Sequence, residues 1–207
     1  FNVFGVIFIC IVFYMVFSEL AKDRPALIFS LICIFIITSM SGVVWKNTQY
    51  VYRKRNYYGI YEVSDKDNIR NLYHGTTLHG MQVLTEKMRR EPTLYFSRKS
   101  PIGEVMMSRQ FQFQRVGIIG LGAGTLTAYS EPGQIYDIYE LDHDVYHIAD
   151  KFFTYLKDAK GEVNHIFGDA RISLENNKTV KYDLLIVDAF GGDSIPFHLL
   201  TKEAIAL

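Results

Sequence analysis

The chain has 207 residues, 49% of them apolar, and its 22 basic side chains balance 22 acidic ones. That length allows one to two domains, and a zero net charge excludes a global field that would gather nucleic acid, so partners have to be argued locally. Of the two cysteines, Cys10 and Cys33, each lies in an apolar run, which leaves no disulfide framework and no thiolate metal site.

Apolar residues are concentrated at the start. Phe1 to Phe17 and Ala26 to Val44 are two runs without a charge, each of about the length that crosses a hydrocarbon core, roughly 17 to 25 residues. The first lacks the basic leader and small-residue cleavage site of a signal peptide, and the second follows at once. Residues 1 to 48 therefore read as a transmembrane hairpin in an inner or plasma membrane. The connection offers Lys22 and Arg24, whereas Lys46, Arg53, Lys54 and Arg55 follow the second run, so the remainder is expected to face the cytoplasm. Because the sequence opens on Phe1 and stops at Leu207 inside a helical stretch, a longer protein is expected, with further strands beyond residue 207.

Tyr50 to Arg55 reads as basic residues that signal topology or as a basic, aromatic collar at a headgroup interface. Strand formers follow, with Tyr57, Tyr58, Ile60, Tyr61 and Val63, then a polar turn, then Ile69 to His74 and Leu78 to Val83. These predict two or three antiparallel strands in a small β-domain over residues 49 to 98. Glu91 to Pro101 is a loop, and Ile102, Val105, Met106 and Phe113 predict a helix from Ile102 to Gln114.

From Val116 a βαβ rhythm sets in. Strands are expected near 115–120, 135–141, 162–167 and 183–188. Helices are expected after Gly124, over about 143–157 and 170–175, and from Pro196 onward. Residues 99 to 207 thus read as an incomplete doubly wound α/β sheet of Rossmann-like type, with its ligand at the carboxyl ends of the strands.

The first of these strands runs into Gly120-x-Gly122-x-Gly124, a turn where a nucleoside can approach backbone N–H groups closely. Glu140 follows twenty positions after Gly120, the separation at which an acid closing the second strand reaches ribose hydroxyls. No Lys-Ser/Thr follows the glycines, which disfavours a phosphate-gripping loop, and the spacing is not that of a dinucleotide site. It is the form common in S-adenosylmethionine-dependent enzymes. Asp142 also closes the second strand, and Asp169 in Gly168-Asp169-Ala170 closes the third, where it is either a helix N-cap or an acceptor for an adenine amino group. Asp188 closes the fourth after the apolar run 184–187. A partly desolvated carboxylate there has raised proton affinity, and Asp193 nearby would raise it further, which suits proton transfer from an amine.

Gly120 to Gly124 with Glu140, Gly168-Asp169-Ala170 and Asp188-Ala189-Phe190-x-x-Asp193-x-Ile195-Pro196 resemble the polyamine aminopropyltransferases, spermidine synthase and its relatives. Leu72 to Gln82 and Tyr95-x-x-x-x-Ser100-Pro101-x-Gly103 are similar to the membrane-fused, spermidine synthase-like branch. The resemblance covers roughly residues 50 to 207. It implies an S-adenosylmethionine-dependent methyltransferase fold, decarboxylated or intact S-adenosylmethionine as co-substrate, and a putrescine-like amine as acceptor. It implies no metal and no nucleic acid, and a homodimer is compatible with it.

By the same resemblance, Gln82 would contact the donor, Glu140 its ribose and Asp169 its adenine. Ala170 and Pro196 would line the adenine, and Asp188 would activate the amine. The chain departs from the soluble synthases in one respect. Their acidic gate after the Gln is replaced by the loop Pro92 to Gly103, with Glu104 as the nearby acid. Three readings stay open: aminopropyl transfer, another use of S-adenosylmethionine such as methyl transfer or donor cleavage, and a membrane protein that senses a nucleoside without chemistry.

Overall fold

The computed structural model describes residues 32, 35, 50–108, 110–189 and 196–206. Both apolar runs assigned to the membrane hairpin lie outside the described residues, apart from residues 32 and 35. No helix among the described residues is long and apolar enough to cross a membrane.

An antiparallel meander comes first: β1 (Tyr50–Arg55), β2 (Ile60–Lys66), β3 (Ile69–His74) and β4 (Thr77–Val83), hydrogen-bonded in that order. The sequence predicts two or three strands here, and the added one is β1, the basic and aromatic segment 50–55. Its basic residues find acidic partners within the fold: Arg53 meets Glu62 across the strand pair at 2.7 Å, and Lys54 reaches Asp144 at 2.7 Å. The β1–β2 turn closes because the Asn56 side chain accepts from the N–H groups of Tyr58 and Gly59, the local bond that makes Asn a turn residue. A two-strand hairpin is marginal alone. Here Tyr61, Val63 and Leu72 enter one apolar cluster with Val116, Ile118, Ile138, Ile148 and Phe153.

Ser100 caps α1 (Pro101–Met107) by accepting from the Gly103 N–H, with Pro101 at the first helical position. The expected continuation to Gln114 does not occur. Phe113 is instead buried in the core from a segment outside any helix or strand, and the Asp183 carboxylate holds the N–H groups of both Gln114 and Arg115 at 2.7 and 2.9 Å. That acid anchors the chain where β5 begins, at Arg115.

The second sheet is parallel: β5 (Arg115–Ile119), β6 (Ile135–Glu140), β7 (Glu162–Phe167) and β8 (Leu184–Val187), in the order β7-β6-β5-β8. The remaining helices are α2 (His143–Phe152), α3 (Tyr155–Asp158), α4 (Ala170–Asn176) and α5 (Lys202–Ile205), with 3₁₀ segments at Thr125–Tyr129 and Phe197–Leu199. The helix expected over 143–157 breaks at Phe153, which is buried, and at Thr154, whose hydroxyl donates to Asp158. Strand order reverses between β5 and β8, and in such sheets the crevice at the reversal takes the ligand.

Candidate active site

Two strand ends meet at that reversal. Gly120 follows β5 with φ +99°, a conformation open to glycine and costly for other residues. A Cβ there would stand 2.5 Å from the Asp188 carbonyl oxygen, so the glycine also allows the two strand ends to approach. On the other side, β4 lies over the glycine-rich turn. A Cβ on Gly80 would stand 2.4 Å from that of Ala123, so only glycine lets the meander come this close.

Between these elements lies a cavity of about 180 Å³. Of the residues that the sequence points to, Gly120, Gly122, Glu140, Asp142, Asp169, Ala170, Asp188 and Pro196 all line it. Gly124 does not; it caps the 3₁₀ segment and packs on Leu156. Asp193 lies outside the described residues.

Gln82 does not line the cavity. Its side chain is fully buried, and it donates to the Arg89 carbonyl and to Thr154 Oγ1, both at 2.8 Å, while accepting from the Thr154 N–H at 3.2 Å. Those bonds tie β4 to the α2–α3 junction. The β3–β4 register shifts at His79, between the pairs Leu72–Gly80 and Tyr73–Leu78, and His79, not Gln82, lines the cavity.

The four acids play different parts. Glu140 accepts from the Leu121 N–H at 3.0 Å through one oxygen and from the Asp142 N–H at 2.9 Å through the other. It therefore fixes the glycine-rich turn. Burial pushes its carboxyl above the usual range, opposed by these backbone bonds. Asp142 caps α2 by accepting from the Asp144 N–H, and its second oxygen accepts from Asn56 Nδ2 at 2.6 Å. Asp169 caps α4 by accepting from the Ile172 N–H at 3.0 Å, and its other oxygen lies 2.9 Å from His198 Nε2. Burial would raise its carboxyl, but the Ile172 amide and His198 outweigh that and hold it low. Asp188 is the exception, because burial alone pushes its carboxyl from 3.8 up to about 6.

Several lining residues were not assigned a role from sequence. Tyr58, Tyr61, His74 and His79 line the cavity from the meander, with the rings of Tyr61 and His74 stacked at 4.5 Å, and His198 lines it as well. Tyr61 is held protonated by burial and by the Asp142 carboxylate that it hydrogen-bonds. The arrangement offers an acid near neutrality beside a glycine turn, a structured pair of acids at β6, and an aromatic and imidazole wall. Among the described residues no three His, Cys, Asp or Glu side chains converge as for a metal.

No family model matches the chain. Over 95 residues it is 39% identical to the polyamine aminopropyltransferase of Vibrio vulnificus (strain CMCP6), a stretch that makes up 44% of this chain and 31% of that protein. The match thus spans about a third of the relative's length. A solved probable spermidine synthase from Corynebacterium glutamicum ATCC 13032 superposes with a TM-score of 0.61 at 18% identity, covering 76% of this chain and 58% of that one. A spermidine synthase solved in complex with the transition-state analogue AdoDATO gives a TM-score of 0.49 at 18% identity, over 75% of this chain and 52% of that one. The parallel sheet with its glycine turn and strand-end acids is therefore the spermidine synthase-like, Rossmann-type α/β fold.

Proposed function

We propose that the chain is part of an aminopropyltransferase that moves an aminopropyl group from decarboxylated S-adenosylmethionine to an amine. The observation that carries this reading is Asp188, an acid with its carboxyl near 6 at the switch point of the sheet, in a chain related in sequence to a polyamine aminopropyltransferase. Ionised at neutral pH yet more basic than an ordinary carboxylate, Asp188 suits the role of general base. The amine nitrogen forms a bond to the methylene beside the sulfonium, the carbon–sulfur bond breaks, and the sulfonium becomes the neutral thioether of methylthioadenosine. The proton released from nitrogen goes to Asp188.

In this reading Glu140 would take the ribose hydroxyls over the Gly120–Gly122 turn, and Asp169, Ala170 and Pro196 would surround the base; that all of them line one cavity supports it. In this reading residues 49–98 serve as a small β-domain over the 99–207 nucleoside-binding part. We extend it to a membrane hairpin at residues 1–48 with the remainder in the cytoplasm, supported by the two uncharged apolar runs and the basic residues after the second.

One observation favours a second reading, other chemistry on S-adenosylmethionine such as methyl transfer or donor cleavage. The segment 92–103 brings aromatic rings rather than carboxylates to Asp188: Phe96 lines a small neighbouring cavity with it, and Tyr95 has its hydroxyl pushed up to about 12 by burial and by the Asp188 charge. Turnover of decarboxylated S-adenosylmethionine to methylthioadenosine, with and without putrescine, separates the two. Amine-dependent release supports aminopropyl transfer, and release without amine supports donor cleavage.

A further inference from the structure

His198 stands on the cavity wall beside Asp169, and three contacts hold it there. Leu199, next in the 3₁₀ segment, is buried in a cluster with Ile119, Tyr139 and Ala170. Arg171 Nη1 donates to the His198 carbonyl at 3.0 Å and lies 3.4 Å from Thr201 Oγ1. The imidazole Nε2 itself meets Asp169 Oδ2 at 2.9 Å. Both oxygens of Asp169 are thereby engaged, Oδ1 by the Ile172 N–H and Oδ2 by His198. The carboxylate is consequently fixed in rotation, and its remaining lone pairs are available to a group in the cavity that both residues line.

We propose that His198 is a positioning residue for the donor's base: it locks Asp169 so that its carboxylate accepts from an exocyclic amino group and rejects a base that presents a carbonyl at the same position. This rests on the nucleoside-donor reading above. A carboxylate held at one angle is a directional acceptor, whereas a freely rotating one turns to water and discriminates little between an amino group and a carbonyl. Discrimination of this kind comes from leaving a buried polar group unpaired with the wrong ligand. Folding needs of the 196–201 segment alone would make no distinction between bases.

The test is calorimetric titration of the full chain with 5′-methylthioadenosine and with 5′-methylthioinosine, which carries a carbonyl in place of the exocyclic amino group and an N–H in place of the bare ring nitrogen N1. The parent is expected to bind the adenine nucleoside about tenfold or more tightly than the hypoxanthine one, the scale of one hydrogen bond to a charged group. His198→Ala should cut that ratio to about threefold or less. His198→Gln, which keeps a side-chain N–H donor, should restore most of it, and a melting temperature for each variant shows that the fold is present. The inference is overturned if folded His198→Ala keeps the parent's ratio, or if it weakens both nucleosides equally. A parent that binds neither nucleoside overturns the donor reading and this inference with it.

Discussion

The carbonyl oxygen of Asp188 lies where Gly120 leaves room for it: a Cβ on residue 120 would stand 2.5 Å from that oxygen, and the φ of +99° is one that other residues avoid. The strand end that carries the proposed base is thus set against the strand end that begins the glycine turn. Gly120→Ala should lose about 1–3 kcal/mol from overpacking alone, with strained backbone adding to it. Urea unfolding measures the loss, and a variant as stable as the parent would contradict the close approach.

Glu140 holds the turn from the other side, with one oxygen on the Leu121 N–H and one on the Asp142 N–H. Glu140→Gln keeps the shape but places an amide N–H against one of those donors, a mismatch worth about 1–3 kcal/mol. Affinity for adenosyl ligands should fall about tenfold or more, since the acceptor charge is lost too. Calorimetry and thermal melting read the two effects separately.

The Arg115–Asp137 pair gives a contrast away from the cavity. Asp137 is 2% exposed and accepts from Arg115 Nε at 2.6 Å, Asn164 Nδ2 at 3.0 Å and the Tyr182 hydroxyl at 3.1 Å. Removing one partner of a buried pair leaves a charge uncompensated. Arg115 is partly solvated, so Arg115→Ala should cost about 2–3 kcal/mol, less than the full buried-pair figure. Denaturant unfolding measures that cost, while nucleoside affinity per folded molecule should stay within about twofold.

The pH dependence follows from Asp188. Its folded pKa, about 6, is raised above the ordinary 3.8 by burial, so the fold favours its protonated form. The stability gained from that is full below 3.8 and is lost as pH rises through about 6. Above pH 6, Asp188→Asn should therefore be at least as stable as the parent, which thermal melting at pH 5 and pH 8 checks. The acid limb of the parent's kcat/KM profile should bend near pH 6 and be absent from the variant.

If residues 1–48 form a membrane hairpin with basic residues after it on the inside, a reporter fused after residue 207 should be active only in the cytoplasm. Activity of an exported reporter at that position would reverse the topology.

The parallel sheet was legible in the sequence because each strand runs into a glycine or an acid, and β7 was read at the residues it occupies, 162–167. Local patterning failed where a distant partner decided the outcome. Asp183 holds the N–H groups of Gln114 and Arg115 at the start of β5, and the basic segment 50–55 pairs with β2 while Arg53 and Lys54 meet Glu62 and Asp144. The site divides in the same way. Glu140 could be placed by counting from Gly120, but local patterning gives no sign of the register shift in β4 at His79, and His79 rather than Gln82 lines the cavity. His198 gave only a position after Pro196, because its partner Asp169 lies 29 residues earlier.

Release of methylthioadenosine by the complete protein, compared between the parent and Asp188→Asn with decarboxylated S-adenosylmethionine and putrescine, tests the central claim most directly. General base catalysis contributes about 10² to 10⁴-fold, and a fall of that order with donor affinity nearly unchanged is the predicted result. An Asp188→Asn protein that releases product as fast as the parent would contradict the account.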